Sequence, residues 1–248
     1  MTLSDKLFEN RERWLEMFKN DEYDKMIKEI TVICHDYLFI NDIMPKYDKF
    51  SYIMPYDNKV AIEYGIKYIN ASFVDRFIAC QLPKRTHLKE FHEFLEKSEI
   101  NLIVTLKEKA NYFKKEHLEQ LIEDNGLFRV EDYKLKNKTI RRVHCYIWED
   151  HSVITPEQMA QLHSYIKKHP SFNDKHKTLI HCYAGVGRTG TMIMYSLLSE
   201  IDEMITPEIF VDLLLKLRSC RCYTVQNALQ LKFLADIFLN KIGTDISK

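Results

Sequence analysis

Three of the chain's six glycines fall inside ten residues, His181-Cys182-Tyr183-Ala184-Gly185-Val186-Gly187-Arg188-Thr189-Gly190, and no other stretch constrains the fold as much. The residues before it, Thr178-Leu179-Ile180-His181, read as a short buried strand, and 189–203, rich in Met, Leu and Ile, read as a helix. The unit is therefore strand, loop from Cys182 to Gly187, helix. Glycines without a Cβ let the loop backbone curl until successive N–H groups converge on one point, an anion-binding nest. The positive end of the following helix adds to the same point. A cysteine at the entrance to such a ring has its thiolate stabilised, with precedents at a pKa of about 3.5–7.5 against ~8.5 for the free thiol. Cys182 is thereby a candidate nucleophile. Arg188, six residues on, can fold back and offer two parallel N–H donors to two phosphate oxygens, which a lysine cannot do. A cysteine and an arginine at this spacing occur by chance at roughly a quarter of a match in a chain of this composition; the strand, the glycines and the Thr189-Gly190 helix start remove most of that risk.

The rest of the chain interleaves helices with strands. Leu7, Trp14, Leu15 and Phe18 are spaced for one helical face, and Met26, Ile27, Ile30 and Ile33 for a second helix. Strands are expected from Lys67 (KYINASFV), from Phe77 (FIACQ) and from Asn101 (NLIVTL), with a helix around Phe91, Phe94 and Leu95 before the last. Further strands are expected at Phe128 to Leu135 and Ile140 to Trp148, and helices at 157–168, 207–217 and 225–240. Alternation of this kind implies an α/β or α+β domain with one central sheet.

At 248 residues, with no repeat and no Pro/Gly/Ser linker, the chain reads as a single domain over 1–248. Thirty-six basic residues balance thirty-six acidic ones, so nothing favours nucleic acid or an anionic membrane through bulk charge, and any anion site must be local. The start lacks an apolar signal region and no stretch reaches membrane-spanning length, so a cytoplasmic protein is expected. Six scattered cysteines read as thiols, and Cys220-x-Cys222, without a second pair at ligand spacing or nearby His, argues against a zinc site.

The ten-residue run resembles the signature loop of the tyrosine-specific protein phosphatase family. So do further landmarks in family order. Ile53-Met54-Pro55-Tyr56-Asp57 is similar to I-x-P-Y/F-D, Lys67 to Phe73 to the D-Y-I-N-A-S/N strand, and Phe77 to Gln81 to a reduced Y-I-A-T-Q-G-P. Trp148-Glu149-Asp150-His151 resembles the mobile W-P-D-H loop, and Gln226 with Gln230 the Q-T-x-x-Q end. The resemblance covers about 45–233; residues 1–44 share only helicity with the family. As little more than a bare catalytic domain the chain is similar to some virus-encoded members. The family implies a twisted mixed sheet flanked by helices and hydrolysis of phosphotyrosine-containing proteins by a monomer without metal or cofactor. On its pattern Cys182 attacks phosphorus, while Arg188 and the amides of Tyr183, Ala184, Gly185, Val186 and Gly187 hold the oxygens. Asp150 serves as acid and then base, Gln226 with Gln230 positions the water, Thr189 stabilises the thiolate, and His181 orders the loop. Phe50 takes the place of the aromatic that stacks on phosphotyrosine.

Four positions depart from the family. Glu149 replaces the loop proline, Tyr52 stands where an acid binds peptide backbone, Tyr223 stands where glycine opens the pocket mouth, and no acid around Lys109-Ala110-Asn111 matches the glutamate that orients the arginine. They leave three readings beside the tyrosine phosphatase: action on non-peptide phosphates such as a phosphoinositide or an RNA 5′-phosphate, a catalytically weak phosphotyrosine binder, or another Cys-x5-Arg chemistry.

Overall fold

The computed structural model describes residues 1–38, 47–173 and 175–239. Residues 39–44 of the N-terminal segment, the first two residues of the stretch that resembles the family, and the end of the last expected helix lie outside the described residues.

Three helices open the chain where two are expected. The first apolar stripe divides into α1 (Leu3–Glu9) and α2 (Arg11–Lys19) at Asn10, which closes one helix and opens the next. Thr2 and Asp5 cap α1 reciprocally, satisfying two N–H groups that the helix itself cannot. α3 (Tyr23–His35) follows a left-handed turn at Asp21 and buries Met26, Ile27, Ile30 and Cys34. α1 and α2 pack against α8 (Pro207–Cys220), and a two-pronged Arg11–Asp212 pair, with Nε to Oδ1 at 2.6 Å, ties α2 to it, while Arg218 of α8 donates to Thr31 Oγ1 of α3 at 2.9 Å. A structural use for the N-terminal segment is thereby on view.

Among the described residues seven strands form one mixed sheet in the order β1-β2-β7-β3-β6-β5-β4. They are β1 (Ala71–Val74), β2 (Phe77–Cys80), β3 (Leu102–Leu106), β4 (Leu118–Asp124), β5 (Phe128–Leu135), β6 (Lys138–Cys145) and β7 (Thr178–His181). The inner four, β2, β7, β3 and β6, run parallel, while β1, β5 and β4 are antiparallel additions at the edges. β2, β7 and β3 are buried at every residue, as parallel strands covered on both faces must be. The period of two assigns their side chains to opposite cores. Ile78, Ile103 and Leu179 meet Phe91, Phe94 and Leu95 of α5 (Leu88–Lys97), whereas Phe77, Val104 and Ile180 join Met192 and Ile193 of α7 (Gly187–Leu198).

Some boundaries differ from the sequence reading. β6 ends at Cys145, so Trp148 belongs to a loop, and α7 starts at Gly187 and ends at Leu198. β4 escapes sequence reading because Leu118–Asp124, LEQLIED, is an exposed edge strand with no apolar alternation. The five-residue α4 (Lys59–Glu63) is too short to show a period. α6 (Pro156–Lys167) has proline at its first position behind the Thr155 cap, and α9 (Ala228–Phe238) is capped by Asn227. Among the described residues no helix is long and apolar enough to cross a membrane.

Candidate active site

β7 lies between β2 and β3, and the loop that leaves its C-terminal end carries Cys182, which is 2% exposed. Gly185 is left-handed at φ +73°, and a Cβ there would stand 2.1 Å from the Cys80 carbonyl oxygen, so only glycine fits. The fully buried Arg221 organises the loop from outside: Nε donates to Gly185 O at 2.8 Å and Nη2 to Ala184 O at 3.3 Å. A trans peptide points its N–H away from its C=O. Holding these two carbonyls on Arg221 therefore turns the amides of Gly185 and Val186 to the other side, where Gly185 N–H donates to Cys182 Sγ at 3.3 Å. Arg221 also binds Asn70 Oδ1 at 2.7 Å and Ser72 Oγ at 3.2 Å, which gives the Asn70-Ala71-Ser72 motif its structural purpose.

Burial pushes the Cys182 thiol up, but the charge of Arg188, the hydroxyl and amide of Thr189 and the amide of Val186 outweigh it and hold the thiol below its ordinary value. Thr189 Oγ1 is buried with no partner in hydrogen-bond geometry among the described residues, so an ionised sulfur beside it would supply the missing acceptor. His181 is fully buried, and burial drives its pKa down to about 3, so the ring is neutral. Its Nδ1 lies 3.0 Å from Cys182 O. A carbonyl can only accept, so Nδ1 carries the proton and Nε2 accepts, with Tyr112 Oη at 2.9 Å and Thr105 Oγ1 at 3.0 Å as donors. A neutral ring fixed on both sides orients the loop; it does not transfer protons.

Arg188, 1% exposed, reaches three oxygens: Nη1 donates to Trp148 O at 2.5 Å and to Glu108 Oε1 at 3.5 Å, and Nη2 to Asp150 Oδ1 at 2.8 Å. Its Nε is buried with no partner among the described residues. Glu108 supplies the arginine-orienting acid that sequence reading did not find. Burial raises its carboxyl, but its own backbone amide, Arg188 and Lys107 bring it below the usual range. The signal the sequence offers is Glu108 standing directly before Lys109-Ala110-Asn111.

The loop after β6 places Asp150 over the phosphate loop, with its carboxylate half exposed. That loop is pinned by Trp148 O on Arg188, by the Trp148 indole on Ser152 O at 3.0 Å and by Asn227 Nδ2 on His151 O at 3.0 Å. Asn227 is a functional residue that sequence reading passed over, as is Arg221. Gln226 lies close to the loop as well: a Cβ on Gly187 would meet its Oε1 at 2.9 Å. Gln230, 1% exposed, accepts from Gln226 N at 3.0 Å and so fixes the Gln226 backbone.

At the rim, Gln81 Oε1 accepts from the amides of Lys49 at 2.5 Å and Phe50 at 3.1 Å. Phe50 packs edge-on against Tyr183 with centroids 4.8 Å apart, and the 60%-exposed Tyr52 continues the aromatic row at 5.9 Å from Phe50. The Tyr223 hydroxyl is bonded to His35 Nε2 of α3, so a contact within the fold engages it. Glu149, in the proline's place, uses its carbonyl to accept from Ser152 Oγ at 2.9 Å.

Comparison with known proteins adds to this geometry. A family model described as protein-tyrosine phosphatase matches residues 45–240. Tyrosine-protein phosphatase 2 of Schizosaccharomyces pombe is 28% identical over 249 residues, covering 81% of this chain and 35% of that protein. The human phosphatidylinositol phosphatase PTPRQ is 28% identical over 236 residues, covering 79% and 10%. The chain thus spans about a third or less of the length of these curated relatives. Among solved structures, PTPN18 in complex with HER2 phosphopeptides superposes with a TM-score of 0.76 at 18% identity, covering 97% of this chain and 98% of that one. The Trypanosoma brucei protein tyrosine phosphatase TbPTP1 gives 0.70 at 21%, covering 90% and 93%. These structural likenesses establish a common fold.

Proposed function

Because this chain belongs to the protein-tyrosine phosphatase family, we propose that it hydrolyses phosphotyrosine through a cysteinyl-phosphate intermediate on Cys182. The observation that carries the reading is the Cys182 thiol held below its ordinary pKa at the mouth of an amide-lined loop, with the Arg188 guanidinium beside it. In the first step Cys182 Sγ bonds to phosphorus as the bond from phosphorus to the phenolic oxygen breaks. Arg188 Nε and Nη2 hold two equatorial oxygens, and the amides of Tyr183 to Gly187 bind the developing charge. The arriving phosphate takes the place of Asp150 on Nη2, which frees the acid to protonate the departing oxygen. In the second step Asp150 removes a proton from water positioned by Gln226, the S–P bond breaks, Thr189 Oγ1 donates to the returning thiolate, and orthophosphate leaves. Gln230 acts by holding Gln226. Phe50 stacks on the phosphotyrosine ring.

We further propose that 1–248 acts as one catalytic domain, as a cytoplasmic monomer on phosphotyrosine-containing proteins. The test is turnover of p-nitrophenyl phosphate and of a phosphotyrosine peptide by wild type and Cys182→Ser. The wild type turns over both, and the variant turns over neither yet retains peptide binding. Appreciable turnover by Cys182→Ser would sink the assignment of the nucleophile. A second reading, action on a phosphoinositide, draws on the likeness to PTPRQ; a phosphatidylinositol phosphate hydrolysed faster than any phosphotyrosine peptide would favour it.

A further inference from the structure

Tyr183 directly follows Cys182, and two ammonium groups converge on its ring: Lys49 Nζ lies 4.9 Å from the centroid and Lys107 Nζ 4.7 Å. The two lysines come from segments 58 residues apart (49 and 107), and both backbones are pinned. The Lys49 amide is held by Gln81, while the Lys107 amide donates to Cys145 O at 3.1 Å and its carbonyl lies 2.6 Å from His144 Nε2. The ring attracts each cation but neutralises neither. Among the described residues Lys107 has one carboxylate near it, Glu108 Oε2 at 3.4 Å, and the other oxygen of Glu108 faces Arg188. Lys49 has no acidic partner among the described residues, and burial together with the charges of Lys107 and Arg85 makes its ammonium easier to deprotonate than an ordinary lysine. Positive charge is therefore gathered and partly desolvated next to the phosphate loop, with the one carboxylate of Glu108 shared between Lys107 and Arg188 and none on Lys49 among the described residues. An anion placed there is drawn to both lysines at once.

We propose that Lys49 and Lys107, held on the ring of Tyr183, form a second anion subsite beside the phosphate loop, which selects phosphotyrosine peptides bearing a carboxylate or a second phosphate next to the phosphotyrosine. The inference rests on the phosphatase reading above. A peptide suits the surroundings because the aromatic row Tyr183, Phe50 and exposed Tyr52 runs outward from the subsite. That row offers apolar area to an extended chain and little to a polar inositol ring. Tyr52 also lacks the charge to bind peptide backbone, so side-chain charge carries the discrimination.

Three peptides of one sequence test this: phosphotyrosine flanked by Gln, by Glu, and by phosphoserine. The readout is the ratio of kcat/KM to that of the Gln peptide, measured within wild type, Lys49→Met, Lys107→Met and the double variant, so any common change in turnover cancels. The expected wild-type ratio is about tenfold for Glu and higher for phosphoserine. It falls in each single variant, approaches one in the double variant, and shrinks as salt rises. A wild-type ratio of one, or a ratio unchanged in the double variant, overturns the proposal. A diC8 phosphatidylinositol bisphosphate that outcompetes all three peptides, and does so through the same lysines, overturns the peptide assignment. Fluorescence-anisotropy binding of the three peptides gives the ratio without turnover. A chain that hydrolyses no aryl phosphate yet binds the Glu peptide through these lysines refutes the phosphatase reading and keeps the subsite.

Discussion

His181 Nε2 has two hydroxyl neighbours, and removing them singly and together gives a sharp test of how the loop is held. In Tyr112→Phe the Thr105 hydroxyl, 3.0 Å away, still serves Nε2, and in Thr105→Val the Tyr112 hydroxyl, 2.9 Å away, does so. Both changes nearly conserve volume, so no cavity opens, and each should cost about one net neutral hydrogen bond, 0.5–1.5 kcal/mol. The double variant differs in kind, since it leaves a fully buried ring nitrogen without a donor, and an unsatisfied buried acceptor costs about 1–3 kcal/mol beyond the two single losses. The expected coupling energy is therefore about 1–3 kcal/mol, within the range for residues sharing a partner. For a chain of this size that adds roughly 2–12 °C to the drop in Tm beyond the sum of the single drops. Denaturant unfolding of the four proteins gives the free energies, and the rate of Cys182 alkylation by iodoacetamide at pH 7 reports the loop. Alkylation should fall most in the double variant, because an unanchored His181 no longer fixes the Cys182 carbonyl. Additive stability losses with an unchanged alkylation rate would refute the orienting role of His181.

Three further outcomes are expected. Asp150→Ala should lower kcat on a phenolic substrate by about 10²–10⁴ and abolish the basic limb of the pH profile; a nearly normal kcat would move the acid step to another group, Glu149 first. Asn227→Asp keeps the α9 cap but loses the donor to His151 O, so Tm should hold while kcat falls by about two- to tenfold, the value of one net hydrogen bond; equal losses in both would reduce Asn227 to a capping residue. The Cys182 thiol is depressed in the folded chain, so the wild type should reach half its maximal alkylation rate at a pH below the ~8.5 of free cysteine. By the same linkage its contribution to stability is complete above the unfolded thiol's pKa and is lost as pH falls through the folded one. A half-maximal pH at or above the free value would contradict it.

The candidate site divides into a part that one stretch of chain builds and a part that folding assembles. Strand Thr178–His181, the loop and α7 are contiguous, and their requirements are local: an apolar strand, Gly185 in a left-handed turn, a helix start, and a cysteine and an arginine at a set spacing. Such requirements are written in neighbouring residues, so the amino-acid sequence by itself determines Cys182, Arg188 and the amide ring. Asp150 and Gln226 are legible through resemblance, since nothing near them in sequence states their use. Other residues emerge only in three dimensions. Glu108 reaches Arg188 across 80 positions, Arg221 turns the loop carbonyls from 36 positions away, Asn227 catches the acid loop across 76, and Lys49 and Lys107 meet on one ring. Each is an ordinary charged or polar residue on its own segment, with no periodicity or motif to mark it. The parallel pairing of β2, β7, β3 and β6 brings the C-terminal ends of those strands, and the loops that leave them with Lys107, Glu108, Asp150 and Cys182, to one edge of the sheet, and Lys49, Arg221 and Asn227 join them from ahead of β1, the end of α8 and the start of α9. Only the tertiary structure decides which of those loops touch.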